Sequence, residues 1–146
     1  MDDSAIAGRF GDLATGPSGI ARARKRAMSK ADDLQARTKT FVIETVKFCR
    51  TIATSVETQR IKSQLIAAST SVGANYRAAR RSHAEFTAKI GVVAEEADES
   101  AYWLELALEL ELGSPATGQK LCEESVELMK IFGKSSFTAR SHRSGE

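Results

Sequence analysis

The sequence predicts an all-α protein, an antiparallel up-down-up-down four-helix bundle with disordered N- and C-terminal tails. Three observations predict it. Apolar residues recur at alternating three- and four-residue spacing over long stretches, the period of a helix and not of a strand. Only two prolines occur, Pro17 and Pro115, so those stretches run uninterrupted. The segments between them are short and carry helix-capping residues, which makes consecutive helices antiparallel neighbours. A chain of 146 residues can bury a core of its own, and 42% hydrophobic with 27% charged residues is a globular composition.

Residues 1–30 carry Gly8, Gly11, Gly16 and Gly19 with few large apolar groups, too little to offset chain entropy. They read as a flexible basic arm that closes on Arg22, Arg24, Lys25 and Arg26. A solvated tail and an arm that contacts nucleic acid through counterion release are both open. The bundle is expected over residues 31–133. Its first helix spans about Ala31 to Ala53, with Leu34, Thr38, Phe41, Thr45, Phe48 and Ile52 on one stripe and Val42, Val46 and Cys49 beside it.

The second helix opens at Thr54-Ser55-Val56-Glu57, read as a capping box between Thr54 and Glu57. Ile61, Leu65, Ala68, Val72, Asn75 and Ala79 line one of its faces. Asn75 is the polar member, expected as a buried amide bonding to another helix. Ser82 and Glu85 form a second capping box that starts a long third helix, about Ala84 to Leu112. Phe86, Ile90, Val93, Ala97, Ala101, Leu104 and Leu108 make one stripe there; Trp103, Leu106, Ala107 and Leu110 make another. The second stripe exceeds what one core needs, so Trp103, Leu106 and Leu110 are candidate subunit contacts. Gly113, Ser114 and Pro115 suit a C′ position, an N-cap and an N1 for the fourth helix. Leu121, Ser125, Leu128 and Phe132 face inward, Gly133 ends the helix, and residues 134–146 read as a polar tail.

No chemistry-bearing constellation stands out. Glu95, Glu96 and Glu99 share a face, but a di-iron bundle needs E-x-x-H partners, and neither His83 nor His142 follows a glutamate at that spacing. Gly118-Gln119-Lys120 lacks the upstream glycine of a phosphate loop, and no G-x-S-x-G occurs. No enzyme, metal or cofactor is expected. Cys49 and Cys122 are far apart and read as small core residues in a reducing compartment. The N-terminus shows no signal-peptide pattern, and Glu105, Glu109 and Glu111 break the most apolar segment, so a cytoplasmic location off the membrane is expected. The formal charge of +2 is unevenly spread. Residues 87–130 are strongly acidic and the chain before them is basic, a polarity that attracts copies of the chain head to tail. Arg77, Arg80 and Arg81 cluster with Tyr76 at the corner between the second and third helices. They are candidates for phosphate and base contact, or for bridges to acidic neighbours.

The run Ser69-Thr70-Ser71-Val72-Gly73-Ala74-Asn75-Tyr76-Arg77-Ala78-Ala79, with Arg80-Arg81-Ser82, Glu85-Phe86, Glu95-Glu96-Ala97-Asp98-Glu99 and Tyr102-Trp103-Leu104, resembles the bacterial four helix bundle protein family. This is the ribosomal RNA intervening-sequence protein family, related to the accessory variability protein of diversity-generating retroelements. The resemblance covers about residues 31–133, with Asn75, Ser82 and Glu85 as its structural signature. It implies an antiparallel four-helix bundle that assembles as a ring-like homopentamer and is not an enzyme. The retroelement relative is strongly basic and binds nucleic acid and a reverse transcriptase; the helical region here carries slightly more acid than base. Two roles stay open: an oligomeric scaffold that binds another protein or itself, and an RNA- or DNA-binding accessory protein.

Overall fold

A computed structural model of the protein describes residues 29–145. Among those residues it holds four helices and no strand: α1 (Lys30–Arg50), α2 (Val56–Ala79), α3 (His83–Glu109) and α4 (Pro115–Arg143). The arm residues Arg22, Arg24, Lys25 and Arg26 lie outside the described residues.

Each helix starts where a side chain satisfies its orphan N–H groups. At α1 the Ser29 hydroxyl accepts from the Asp32 N–H at 3.1 Å, and the Asp32 carboxylate accepts from the Ser29 N–H at 3.0 Å. At α2 the N-cap is Ser55 and not Thr54. Ser55 Oγ accepts from the Thr58 N–H at 3.2 Å, and Thr58 Oγ1 accepts from the Ser55 N–H at 2.7 Å. The box is thus shifted one residue from the Thr54–Glu57 reading, because Thr58 is buried beneath the turn while Thr54 instead receives Lys62 Nζ at 3.2 Å. At α3 Ser82 Oγ accepts from the Glu85 N–H at 3.1 Å, one half of the capping box read there, while the Glu85 carboxylate lies 3.9 Å from Lys89 Nζ. Ser114 caps α4, with Pro115 in its first turn.

The end of α3 departs from expectation. The C′ residue is Glu111, with φ 55°, and not Gly113. Leu112 N–H bonds to the Ala107 carbonyl at 2.8 Å and Glu111 N–H to the Leu108 carbonyl at 3.1 Å, a Schellman closure. Gly113 serves the next step of the turn: its φ is 66°, and a Cβ there would stand 2.7 Å from the Phe48 ring. Gly133 does not end α4. A Cβ at Gly133 meets nothing within 4 Å, so the residue sits in open space and costs the helix only about 1 kcal/mol. The helix runs on to Arg143 because Phe132, Ser136 and Ala139 keep the helical spacing and Ser136 is buried. The polar tail read over 134–146 is therefore largely the last turns of α4.

The helices pack as an antiparallel bundle in which α1 touches α2 and α4, and α3 touches α2 and α4. Lys62 Nζ reaches the Ile52 carbonyl at 2.9 Å, while a Cβ on Gly73 would meet Val42 at 3.1 Å, so α2 runs opposite to α1. Arg37 grips Glu124 through Nε at 2.6 Å and the second guanidinium nitrogen at 3.1 Å, tying α1 to α4. Ser125 Oγ donates to the Ala97 carbonyl at 2.6 Å, tying α4 to α3. Phe41, Leu65, Val72, Ile90, Val93, Leu104, Leu128 and Phe132 fill the centre. Cys49 and Cys122 are buried there as free thiols. Tyr76 is buried too, its ring centroid 4.9 Å from that of Phe132. Asn75 does not bridge helices: it is half-buried and its Nδ2 donates to the Ser71 carbonyl of its own helix at 2.9 Å. The next residue, Tyr76, takes the inward position instead.

The cap assignment has a direct check in urea unfolding. Ser55→Ala should cost about 1 kcal/mol, and Thr54→Ala should stay within about 0.5 kcal/mol of the parent.

Candidate interaction surfaces

The outward face of α3 is built by helical spacing. Val92, Glu95, Glu99, Tyr102, Leu106 and Leu110 follow one another at three or four residues, on the side opposite Ile90, Val93, Ala97, Ala101 and Leu104. Tyr102 is 57% exposed and Leu110 50% exposed. Leu106 is half-buried, and so is Trp103, which packs its ring against the core while its Nε1 faces Glu99 at 3.4 Å. The Tyr102 and Trp103 rings meet edge to face at 5.0 Å. Of the second stripe read from the sequence, Ala107 belongs to the core, Trp103 packs against its edge, Leu106 is half-buried, and Leu110 lies on the surface.

The same helix concentrates the negative charge. α3 carries seven carboxylates against Lys89 alone, whereas α1 has five basic residues against three acidic, α2 three against one and α4 five against three. Partial burial, then the neighbouring Glu99 and Glu95, push the Glu96 carboxyl above the ordinary carboxylate range.

A basic end forms where α2 turns into α3. Arg77 and Arg81 are exposed, and Arg80 donates to Gln35 of α1. The continuation of α4 adds cations that the sequence reading missed. His83, Ala84, Thr87 and Ala88 of α3 and Ala139, His142 and Arg143 of α4 line one open cleft, so both histidines of the chain meet there. Arg140 lies one turn back, held by Ser136 Oγ at 2.9 Å. The continuing spacing of Phe132, Ser136 and Ala139 was the available signal. The corner's aromatic partner is lost, since Tyr76 is in the core and cannot stack on a base.

Among the described residues no group of three or more His, Cys, Asp or Glu could hold a metal ion, and no helix is long and apolar enough to cross a membrane. Burial pushes the Cys49 thiol up to about 11, against a smaller opposing pull from Lys62. Cys122 is raised by burial and then by Glu105 and Glu123.

Residues 30–134 match the profile of the 23S rRNA-intervening sequence protein family. The chain belongs to that family. A crystal structure of a protein of unknown function from the S23 ribosomal protein family of Bacteroides thetaiotaomicron VPI-5482 is 26% identical, with a TM-score of 0.61, over 73% of this chain and 96% of that one. No curated protein matches. Of the residues singled out in the sequence, Ser82 caps α3, Glu85 lies 3.9 Å from Lys89 on the same helix, and Asn75 bonds within α2.

The strained acid on α3 gives a signed pH test. A carboxyl raised in the folded state favours folding below its unfolded pKa, and that contribution is lost as pH rises through the folded value. Glu96→Gln should therefore raise the thermal midpoint at pH 7, with the gain vanishing below about pH 3 where both side chains are neutral.

Proposed function

We propose that this chain is a non-catalytic interaction subunit that associates with copies of itself through the outward face of α3. The observation that carries the reading is the exposure of Tyr102 and Leu110 on one line with Leu106, beside a core already filled by Ala97, Ala101, Leu104 and Ala107. Water-facing aromatic and aliphatic groups in one line are the mark of a contact surface. The resemblance to the four helix bundle family implies five copies in a ring. Two free, buried cysteines suit a reducing compartment, in keeping with a cytoplasmic subunit. Light scattering should give a mass several times that of one chain at tens of micromolar. Tyr102→Glu with Leu110→Glu should lower it to one chain; these positions are better probes than Trp103, whose ring also supports the core. A parent chain that runs as a monomer sinks the reading.

A second reading is favoured by the basic end. Arg77, Arg80, Arg81, Arg140, His142 and Arg143 converge from α2 and α4 at the start of α3, a cationic surface suited to the phosphates of RNA or DNA. Titration with a structured RNA should show affinity falling steeply between 50 and 200 mM salt, by roughly tenfold or more. Arg81→Glu with Arg143→Glu should abolish it. Binding indifferent to salt would exclude phosphate contact.

A further inference from the structure

We infer that copies of this chain join head to tail, the outward stripe of α3 on one copy seating against the outward stripe of α1 on the next. The inference rests on the self-association proposed above and names the second surface that it uses.

The α3 stripe cannot comfortably meet itself. A two-fold contact places the same patch on both partners. Such a contact would set this acidic face against its own copy, on helices that each carry seven carboxylates and one lysine. Like charges brought together in an interface oppose it. The partner surface must be cationic, must carry an apolar centre, and must lie elsewhere on the molecule.

α1 meets all three conditions. Ala36, Lys39, Ile43, Lys47 and Arg50 recur at three- and four-residue spacing, on the side opposite Phe41, Thr45 and Phe48. Ile43 is 44% exposed and stands between the two lysines. Lys47 is only loosely engaged, 3.3 Å from the exposed Glu44 on its own helix. The other helices fit less well. The outward line of α2 is Ser63, Ala67, Thr70 and Ala74 between Arg60 and Arg77, with no large apolar residue at its centre. That of α4 carries the exposed Phe137, but near the end of the helix; along its centre the line mixes signs, Lys130 lying 3.6 Å from Glu127 and Gln119 2.9 Å from Glu123.

The bundle places the two stripes apart. α1 meets α2 at Gly73 and α4 at Gly118 and Glu124, and α3 contacts the same two helices, so α1 and α3 occupy opposite corners. Their outward faces look away from each other. One copy can therefore offer α3 to one neighbour and α1 to another, which is a heterologous contact that propagates into a ring or an open chain.

Charge exchange tests the pairing. Lys39→Glu with Lys47→Glu, and separately Glu95→Lys with Glu99→Lys, should each weaken association by about tenfold or more, since each sets like charge against like. All four substitutions in one chain should restore the parent mass, and mixing the two double variants should give species heavier than either alone. Arg60→Glu with Arg77→Glu on α2 should leave the mass unchanged. Circular dichroism melting of every variant verifies that the bundle is intact. If the double variants dissociate with intact helices and neither the fourfold variant nor the mixture recovers, the α1–α3 pairing is overturned while self-association stands. If the α2 variant dissociates instead, the partner face is α2 and the pairing is equally overturned. A parent chain that is monomeric at tens of micromolar overturns self-association itself.

Discussion

The hydroxyl of Ser125 donates to the Ala97 carbonyl at 2.6 Å, inside a site where neither residue has measurable exposure. The bond joins a side chain of α4 to the backbone of α3, so it can form only if the two helices lie close and in one register. Small residues permit the approach: Ala97, Ala101 and Ala107 present little more than backbone to α4. A slide of α4 by one turn would leave a buried hydroxyl without a partner, at a cost of about 1–3 kcal/mol. With that register set, Gly118 falls against Leu108 and Gly91 against Ser136 and Arg140, where an added Cβ would stand 3.0 Å and 3.2 Å from the nearest side chains. The length of α4 beyond Gly133 then carries His142 and Arg143 to the start of α3.

The second organising feature is the segregation of charge by helix. Three helices are mildly basic and α3 is strongly acidic. The bidentate Arg37–Glu124 clasp is a cross-helix ion pair that joins basic α1 to α4. Glu96 shows the consequence, its carboxyl raised by burial and by the acids beside it. A helix that crowds carboxylates next to exposed Tyr102 and Leu110 keeps its charge where an opposite surface can use it. The proposed pairing with α1 draws on the acids and the apolar line together.

Periodicity and caps made four helices legible, because burying an apolar stripe imposes the helical period directly on the sequence. Ser82, Ser114 and Pro115 were readable for the same reason: an orphan N–H is satisfied by a near neighbour, and a near neighbour is visible along the chain. The acidic character of α3 and the surplus apolar residues at 106 and 110 were likewise open to inspection. What lay beyond reach depended on residues distant in sequence. Whether Thr54 or Ser55 caps α2 turned on Thr58 being buried under the turn. Whether Asn75 or Tyr76 points inward turned on Phe132, more than fifty residues away. The left-handed turn fell on Glu111 because Leu112 had to pack on the core, and Gly113 was needed for its approach to Phe48. The end of α4 was misplaced because a glycine in open space hardly weakens a helix whose next turn is held by α3. By itself, then, the sequence determined the helices, their antiparallel order and the separation of charge, all of which arise from local spacing. The tertiary structure alone decided which residue of each adjacent pair faces inward and which cations gather at the end of the bundle, because those choices are made by contacts between helices.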